Sequence, residues 1–128
     1  MHPNEDTARK AYVAFAEGDM ATLSALMADD LTWNVPGDNS ISGTYRGKEE
    51  VFGFLGTVAG ETGGSMALDI HDVLANDDHA VALVRNTASR GGDVLDQRFV
   101  HVMHLADGAI TEFWAFAEDQ AAVDQFWG

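Results

Sequence analysis

The sequence predicts one α+β domain over residues 1–128. A cone-shaped, curved antiparallel sheet packs against three N-terminal helices, and a short helix ends the chain. Apolar residues recur at helical spacing in the first half of the chain and alternate at strand spacing in the second half. Helices followed by a run of strands are typical of α+β domains, and this length suits one domain better than two. Helices on one face of a curved sheet leave a cone, which is a common place for a small-molecule pocket.

Three helices are predicted in the first half of the chain. The first helix carries an apolar stripe and ends at Gly18. The stripe consists of Ala8, Ala11, Tyr12 and Phe15. Asp19 can cap a second, short helix, which we expect to include Met27 and to end at residues 29–30. The third helix is predicted over residues 48–59.

One strand is predicted between the helices, and four more follow them. Residues 31–35 alternate as a strand, and residues 36–40 form a strong turn signal. Asp107 and Gly108 predict a hairpin turn between the last two strands. The later elements are four strands and a closing helix, over residues 66–74, 80–88, 94–105, 109–117 and 118–126.

Charge and composition exclude several classes of function. The net charge of −14, from 21 acidic and 7 basic residues, repels phosphate backbones and anionic membranes, so we expect neither nucleic acid nor a membrane as partner. The chain has no cysteine, which excludes disulfides and thiolate chemistry. No apolar run is long enough to span a bilayer, and the polar start is unlike a secretory signal, so we expect a cytoplasmic protein.

His101 is the leading candidate for a catalytic residue. It lies in the middle of a predicted strand, and alternation places Phe99 and Met103 on its face, which would line the cone. An apolar pocket lowers the pKa of an imidazole, and the neutral ring can then act as a general base. The alternative is a core histidine hydrogen-bonded to a neighbour.

Other candidates could complete the pocket. Tyr12 faces inward on the first helix, where its hydroxyl could donate to a ligand oxygen or to a backbone group. Trp33 and Val35 share a strand face that we place toward the pocket. Tyr45 is expected near the mouth, in contact with ligand or in a packing role. Either Asn86 or its neighbour Arg85 must face inward.

A buried arginine at position 85 would need a partner, and Asp96 or Glu112 could supply it across the sheet. The structural ion pair is the favoured interpretation of Arg85. A polar end of the pocket is the alternative.

The remaining histidines give no metal site. His71 alternates with Asp69 and could form an acid–histidine pair, although a sheet-surface pair is favoured. The five histidines show no metal-ligand spacing, and no pattern calls for a nucleotide or flavin, so we expect no metal and no cofactor.

A second apolar sheet face predicts a homodimer. Val100, Val102, Trp114 and Phe116 would form this face, which the helices do not cover. A second subunit is the simplest cover.

The chain resembles the SnoaL-like and ketosteroid-isomerase-like proteins of the nuclear transport factor two-like superfamily. The resemblance covers nearly the whole chain. It is carried by the element order, by Trp114, and by the segments ADDLTWNVPG (28–37), GTYRG (43–47), HDVLA (71–75), VHVMHL (100–105) and DGAI (107–110). It implies the cone fold but not one chemistry, because this fold hosts isomerases, cyclases, hydrolases, dehydratases and binding proteins.

The resemblance can be tested position by position. The proton-shuttling base of ketosteroid isomerase corresponds to Val35, its oxyanion-holding acid to His101, and its oxyanion tyrosine to a position one residue before Tyr12. The SnoaL cyclases carry a histidine that matches His101 and an aspartate base where this chain has Ala115, so the resemblance places Ala115 among the ligand-binding residues.

We therefore predict a protein that binds a small apolar or aromatic molecule. The reaction would be cofactor-free proton transfer, as in an isomerase, cyclase or dehydratase, on an apolar oxygenated substrate. His101 would be the base or proton shuttle, and Tyr12 or Asn86 would steady an oxyanion. The alternative is a non-catalytic ligand-binding or dimerisation module.

Overall fold

Four helices and six strands make up the computed structural model, which describes residues 2–128. In chain order they are α1 (Pro3–Glu17), α2 (Met20–Ala25), β1 (Met27–Val35), β2 (Gly43–Arg46), α3 (Gly47–Glu61), β3 (Ala67–Ala75), β4 (His79–Arg90), β5 (Asp93–Ala106), β6 (Ala109–Ala117) and α4 (Gln120–Trp127). The predicted α+β architecture, with three N-terminal helices and a short C-terminal one, is confirmed. None of the helices within residues 2–128 has both the length and the hydropathy needed to cross a bilayer.

The six strands form one sheet in the order β2-β1-β6-β5-β4-β3. Neighbouring strands are antiparallel except β1 and β6, which run parallel. In β4 and β5 the buried positions alternate with the outward ones, so one face of the sheet is the concave wall of the core.

Helix α1 ends at Gly18, as its sequence predicts, and both of its ends are capped. The His2 side chain accepts a hydrogen bond from the Asn4 amide, and Pro3 occupies the first turn, where no donor is lost. Gly18 has φ 69° and ends the helix in the left-handed conformation. The helix buries Ala8 and Ala11, so its small residues let it pack closely on the sheet.

The structure differs from the sequence prediction around β1. The second helix ends at Ala25, and Met27 begins a strand instead of continuing the helix. The reason is tertiary, because the Ile110 amide donates to the Leu26 carbonyl and draws this segment against β6. Strand β2 was not predicted. It is only four residues long and pairs with one neighbour, so its alternation is too short to recognise.

Helix α4 covers one end of the cone. Asp119 caps it by accepting from the Ala122 amide, and the helix buries Val123, Phe126 and Trp127. Asp124 ties the helix to the loop after β1, since it accepts from the Asn39 amide nitrogen at 2.7 Å. The apolar side chains of this helix are therefore buried against its own chain.

Candidate functional site

A cavity, partly open to solvent, occupies the cone between the helices and the concave face of the sheet. Its volume is about 140 Å³, which is room for on the order of ten water molecules. Every element except β2 contributes to its wall. The polar side chains in the wall are those of Tyr12, Asn86, His101 and Gln120, and no charged residue lies among the lining positions of residues 2–128. Such a cavity suits a mostly apolar, neutral molecule.

A tyrosine–histidine pair lies in this apolar wall. The Tyr12 hydroxyl oxygen and Nδ1 of His101 are 2.6 Å apart, and the two rings stack with centroids 5.8 Å apart. His101 is only 5% exposed. Helix α1 supplies the tyrosine and β5 supplies the histidine, so the pair joins the helical layer to the sheet. His101 is therefore both a buried histidine with a hydrogen-bond partner and a residue of the cavity wall.

Burial keeps both members of the pair neutral. It lowers the pKa of His101 to about 4, because the cationic ring would lose its hydration. It raises the pKa of Tyr12 well above its ordinary value, because the phenolate would be equally unfavourable. At neutral pH the pair therefore carries two protons, one on the phenol and one on the imidazole.

The short distance indicates which proton lies between the rings. Hydrogen bonds of 2.5–3.0 Å are usual for O–H donors, whereas N–H donors prefer about 2.7–3.2 Å. Because the distance here is 2.6 Å, we assign the Tyr12 hydroxyl as the donor to Nδ1. The proton of the neutral ring then lies on Nε2, which has no hydrogen-bond partner within residues 2–128. In this resting arrangement the imidazole offers a donor to a bound molecule, and the Tyr12 oxygen still has a lone pair free.

An aromatic wall lies beside the pair. The rings of Trp33 and Phe113 stack with centroids 3.8 Å apart, and Phe113 meets His101 edge-on at 4.9 Å. Phe99 meets His101 from the other side at 6.2 Å. These rings make the wall beside the pair aromatic, which favours an aromatic or otherwise apolar ligand.

Asn86 is the second polar feature of the wall. It is 7% exposed, and its amide oxygen is fully buried without a hydrogen-bond partner. A buried acceptor left unsatisfied costs about 1–3 kcal/mol. Gln120 differs, because its amide nitrogen donates to the Pro36 carbonyl and to Asp124. Asn86 faces inward, while its neighbour Arg85 lies outside and pairs with Asp96 at 2.7 Å, the structural ion pair favoured by the sequence.

The other predicted pocket residues fall inside and outside the cavity. Trp33, Val35, Phe99, Met103 and Ala115 all line it.

Tyr45 does not line the cavity. Its ring packs on Phe54 at 4.7 Å, and its hydroxyl donates to the Ile41 carbonyl at 2.7 Å. Tyr45 therefore has the packing role. It is not part of the cavity wall, where a ligand contact was expected.

His71 also lies away from the cavity. It is exposed on β3, where the pairing with β4 is irregular between Ile70 and Asp72. Asp69 is exposed as well, and no hydrogen bond joins the two side chains. Of the two histidines considered, His101 faces the cavity.

Several wall residues were missed by the sequence analysis. Phe113 precedes Ala115 by two residues on β6, so strand alternation could have placed it in the wall. Phe54, Leu68 and Gln120 had no such signal, because their approach to the cavity depends on how separate elements pack.

Comparison with known proteins gives a consistent result. A family model described as a SnoaL-like domain matches residues 8–113. The uncharacterized protein Rv0034 of Mycobacterium tuberculosis is 40% identical over 123 residues, which cover 95% of this chain and 94% of that protein. The structure of Bal32a, from a soil-derived mobile gene cassette, is similar with a TM-score of 0.95 and 36% identity, covering 98% of this chain and 97% of that one.

A more distant structure is that of IdmH from Streptomyces antibioticus, a proposed polyketide cyclase. It is similar with a TM-score of 0.77 and 22% identity, covering 96% of this chain and 95% of that one. At this identity the likeness shows a shared fold.

Proposed function

The chain belongs to the SnoaL-like domain family, and we propose that it binds a neutral, mostly apolar, oxygen-bearing molecule in its cavity and moves a proton on it. The observation that carries the proposal is the buried Tyr12–His101 pair, in which the hydroxyl and Nδ1 are 2.6 Å apart in an otherwise apolar wall. Members of this fold carry out several reactions, so the chemistry must be argued from the site.

The pair can exchange protons with a ligand without creating a net charge. The lone pair on the Tyr12 oxygen takes a proton from one ligand atom, and the bonding electrons stay on the ligand. The phenolic proton passes to Nδ1, and the Nε2 proton of His101 passes to a second ligand atom. The ligand thereby changes from one tautomer to another. After the exchange, the imidazole of His101 carries its proton on Nδ1. General acid–base transfer of this type contributes about 10²–10⁴-fold in rate.

The reaction class that fits this exchange is cofactor-free proton transfer. Enolisation is its simplest form, and isomerisation, aldol-type cyclisation and dehydration each contain such a step. The aromatic side chains of Trp33 and Phe113 in the wall suit an aromatic or polycyclic substrate. The proposed polyketide cyclase IdmH has the same fold, which is consistent with a substrate of this kind but does not identify it.

A non-catalytic ligand-binding protein is the second candidate. Val35 and Ala115 line the cavity at the two positions where the related enzymes carry carboxylates, so neither can accept a proton. If the pair only donates hydrogen bonds, the cavity recognises an oxygenated ligand and releases it unchanged.

One experiment with 2-tetralone as probe distinguishes the proton-transfer enzyme from the ligand-binding protein. Exchange of its α-hydrogens for deuterium is followed by NMR in D₂O. We expect protein-dependent exchange that falls at least 10²-fold in Tyr12→Phe and His101→Gln. Tyr45→Phe is the matched control, because it loses a hydroxyl outside the cavity and should keep full exchange.

Binding of 2-tetralone is measured in the same samples through the fluorescence of the cavity tryptophans. Binding without exchange would support the ligand-binding protein. Exchange that persists in both pair variants would contradict the proposed relay.

We also propose that the protein is a homodimer. On the outer face of the sheet Val100 is 37% and Phe116 48% exposed, and Val102 and Trp114 lie on the same face. An isologous contact would cover this apolar face on both copies at once. Light scattering after size exclusion should give twice the mass of the chain, and Phe116→Asp should halve it. A monomeric wild-type protein at high concentration would exclude the dimer.

A further inference from the structure

The cavity has two polar sites that lie far apart. His101 is paired with Ala82 of β4, whereas Asn86 lies four residues further along that strand and is paired with Gln97. At about 3.3 Å per residue, the two inward side chains are about 13 Å apart along the sheet. Apart from Gln120, whose amide is bonded within the protein, the rest of the wall is apolar.

Asn86 has the properties of a binding group and lacks a structural partner. Its amide oxygen is buried and unpartnered, whereas the amide nitrogen of Gln120, the other carboxamide in the wall, donates to groups of the protein. A carboxamide both accepts and donates, so it recognises a hydroxyl or a carbonyl oxygen equally well. The Asn86 amide therefore has hydrogen-bonding capacity that no group of the described protein uses.

The ligand must be neutral at both ends. No charged side chain lies among the lining residues of the described chain, so an anionic or a cationic group would be buried without a counter-charge. The net charge of −14 further opposes the entry of anions.

We propose that the ligand is an elongated neutral molecule with an oxygen at each end, one held by the Tyr12–His101 pair and the other by Asn86. This inference rests on the proposed function and adds the second contact. With a hydrogen bond of about 3 Å at either end, the two ligand oxygens are about 7–13 Å apart. A fused or linked ring system with terminal hydroxyl or keto groups has this form.

Matched probes test the proposal. The compounds are 4-hydroxybiphenyl, with one terminal oxygen, and 4,4′-dihydroxybiphenyl, with two. Affinities are measured by calorimetry and by quenching of Trp33 and Trp127, which both line the cavity. We expect wild-type protein to bind the dihydroxy compound about five- to a hundred-fold more tightly, because its second hydroxyl adds a hydrogen bond with the carboxamide of Asn86, which lines the cavity.

In Asn86→Leu the ratio of the affinity for 4,4′-dihydroxybiphenyl to that for 4-hydroxybiphenyl should fall to about one. The affinity for 4-hydroxybiphenyl should stay within a few-fold of wild type. Thr87→Val is the matched control, because Thr87 lies on the other face of the same strand and should keep the preference. Leucine replaces an unsatisfied amide, so thermal unfolding of the variant should occur at the same or a higher temperature, which verifies that it folds.

The outcomes separate this inference from the proposed function. A preference that persists in Asn86→Leu, or equal binding of both compounds by the wild-type protein, overturns the second contact alone. A wild-type protein that binds neither biphenyl contradicts the proposed function as well. Loss of the preference in Asn86→Leu while Tyr12→Phe binds both compounds as wild type does would support Asn86 and contradict the role of the pair.

Discussion

Lowering the pH from 7 to 5 should destabilise the protein through His101. Burial lowers the pKa of this residue from 6.5 to about 4 in the folded state. Between these two values the unfolded chain binds more protons than the folded one, so the free energy of unfolding falls as the pH falls. The contribution of His101 is complete above its unfolded pKa and is lost progressively as the pH approaches its folded pKa.

The size of the effect follows from the two pKa values. A pKa of about 4 against 6.5 corresponds to a loss of about 2 kcal/mol between pH 7 and pH 5. The 21 acidic residues also respond to pH, so the wild-type curve alone cannot isolate one histidine. His101→Gln provides the reference, since it keeps a polar side chain of similar reach and does not titrate.

The assay is urea unfolding of both proteins at pH 5, 6 and 7. The difference in free energy of unfolding between wild type and His101→Gln should shrink by about 2 kcal/mol at the lowest pH. If the two proteins change in parallel across this range, His101 has an ordinary pKa and the neutral buried pair is refuted.

Three further substitutions test the packing around the site. Tyr12→Phe leaves Nδ1 of His101 without its donor and should cost about 1–3 kcal/mol in urea unfolding at pH 7; an unchanged midpoint would mean that the hydrogen bond is absent. Leu31→Ala removes a fully buried side chain and should cost about 2–5 kcal/mol, and a loss below 1 kcal/mol would contradict its place in the core. Gly37→Ala should lower the melting temperature, because Gly37 has φ +105° and a Cβ there would collide with Asp124 of α4; a melting temperature equal to that of wild type would show that this loop does not hold the helix.

Local periodicity was enough to place much of the site. The stripe of α1 put Tyr12 on the inward face, and alternation along β5 put Phe99, His101 and Met103 on one wall. The bounds of β6 coincide with the predicted residues 109–117. These predictions depend only on the spacing of side chains along a single helix or strand. That spacing can be read from the sequence alone.

The contacts between elements could not be predicted in the same way. Tyr12 and His101 are 89 residues apart, and their hydrogen bond depends on how α1 packs against the sheet, where it contacts β3 and β4. The start of β1 at Met27 depends on parallel pairing with β6, which overrides the local helical pattern. The unsatisfied state of Asn86 was equally hidden, because it requires knowing that no donor lies nearby.

The central claim is that His101 is neutral and donates from Nε2 into the cavity. Long-range ¹H–¹⁵N correlation spectra of the histidine rings test it most directly, with His101→Gln used to assign the signals. Between pH 5 and pH 8 we expect one neutral ring, with its proton on Nε2, whose Nε2 resonance moves when 4,4′-dihydroxybiphenyl binds. A ring that becomes cationic near pH 6.5, or that carries its proton on Nδ1, would contradict the account.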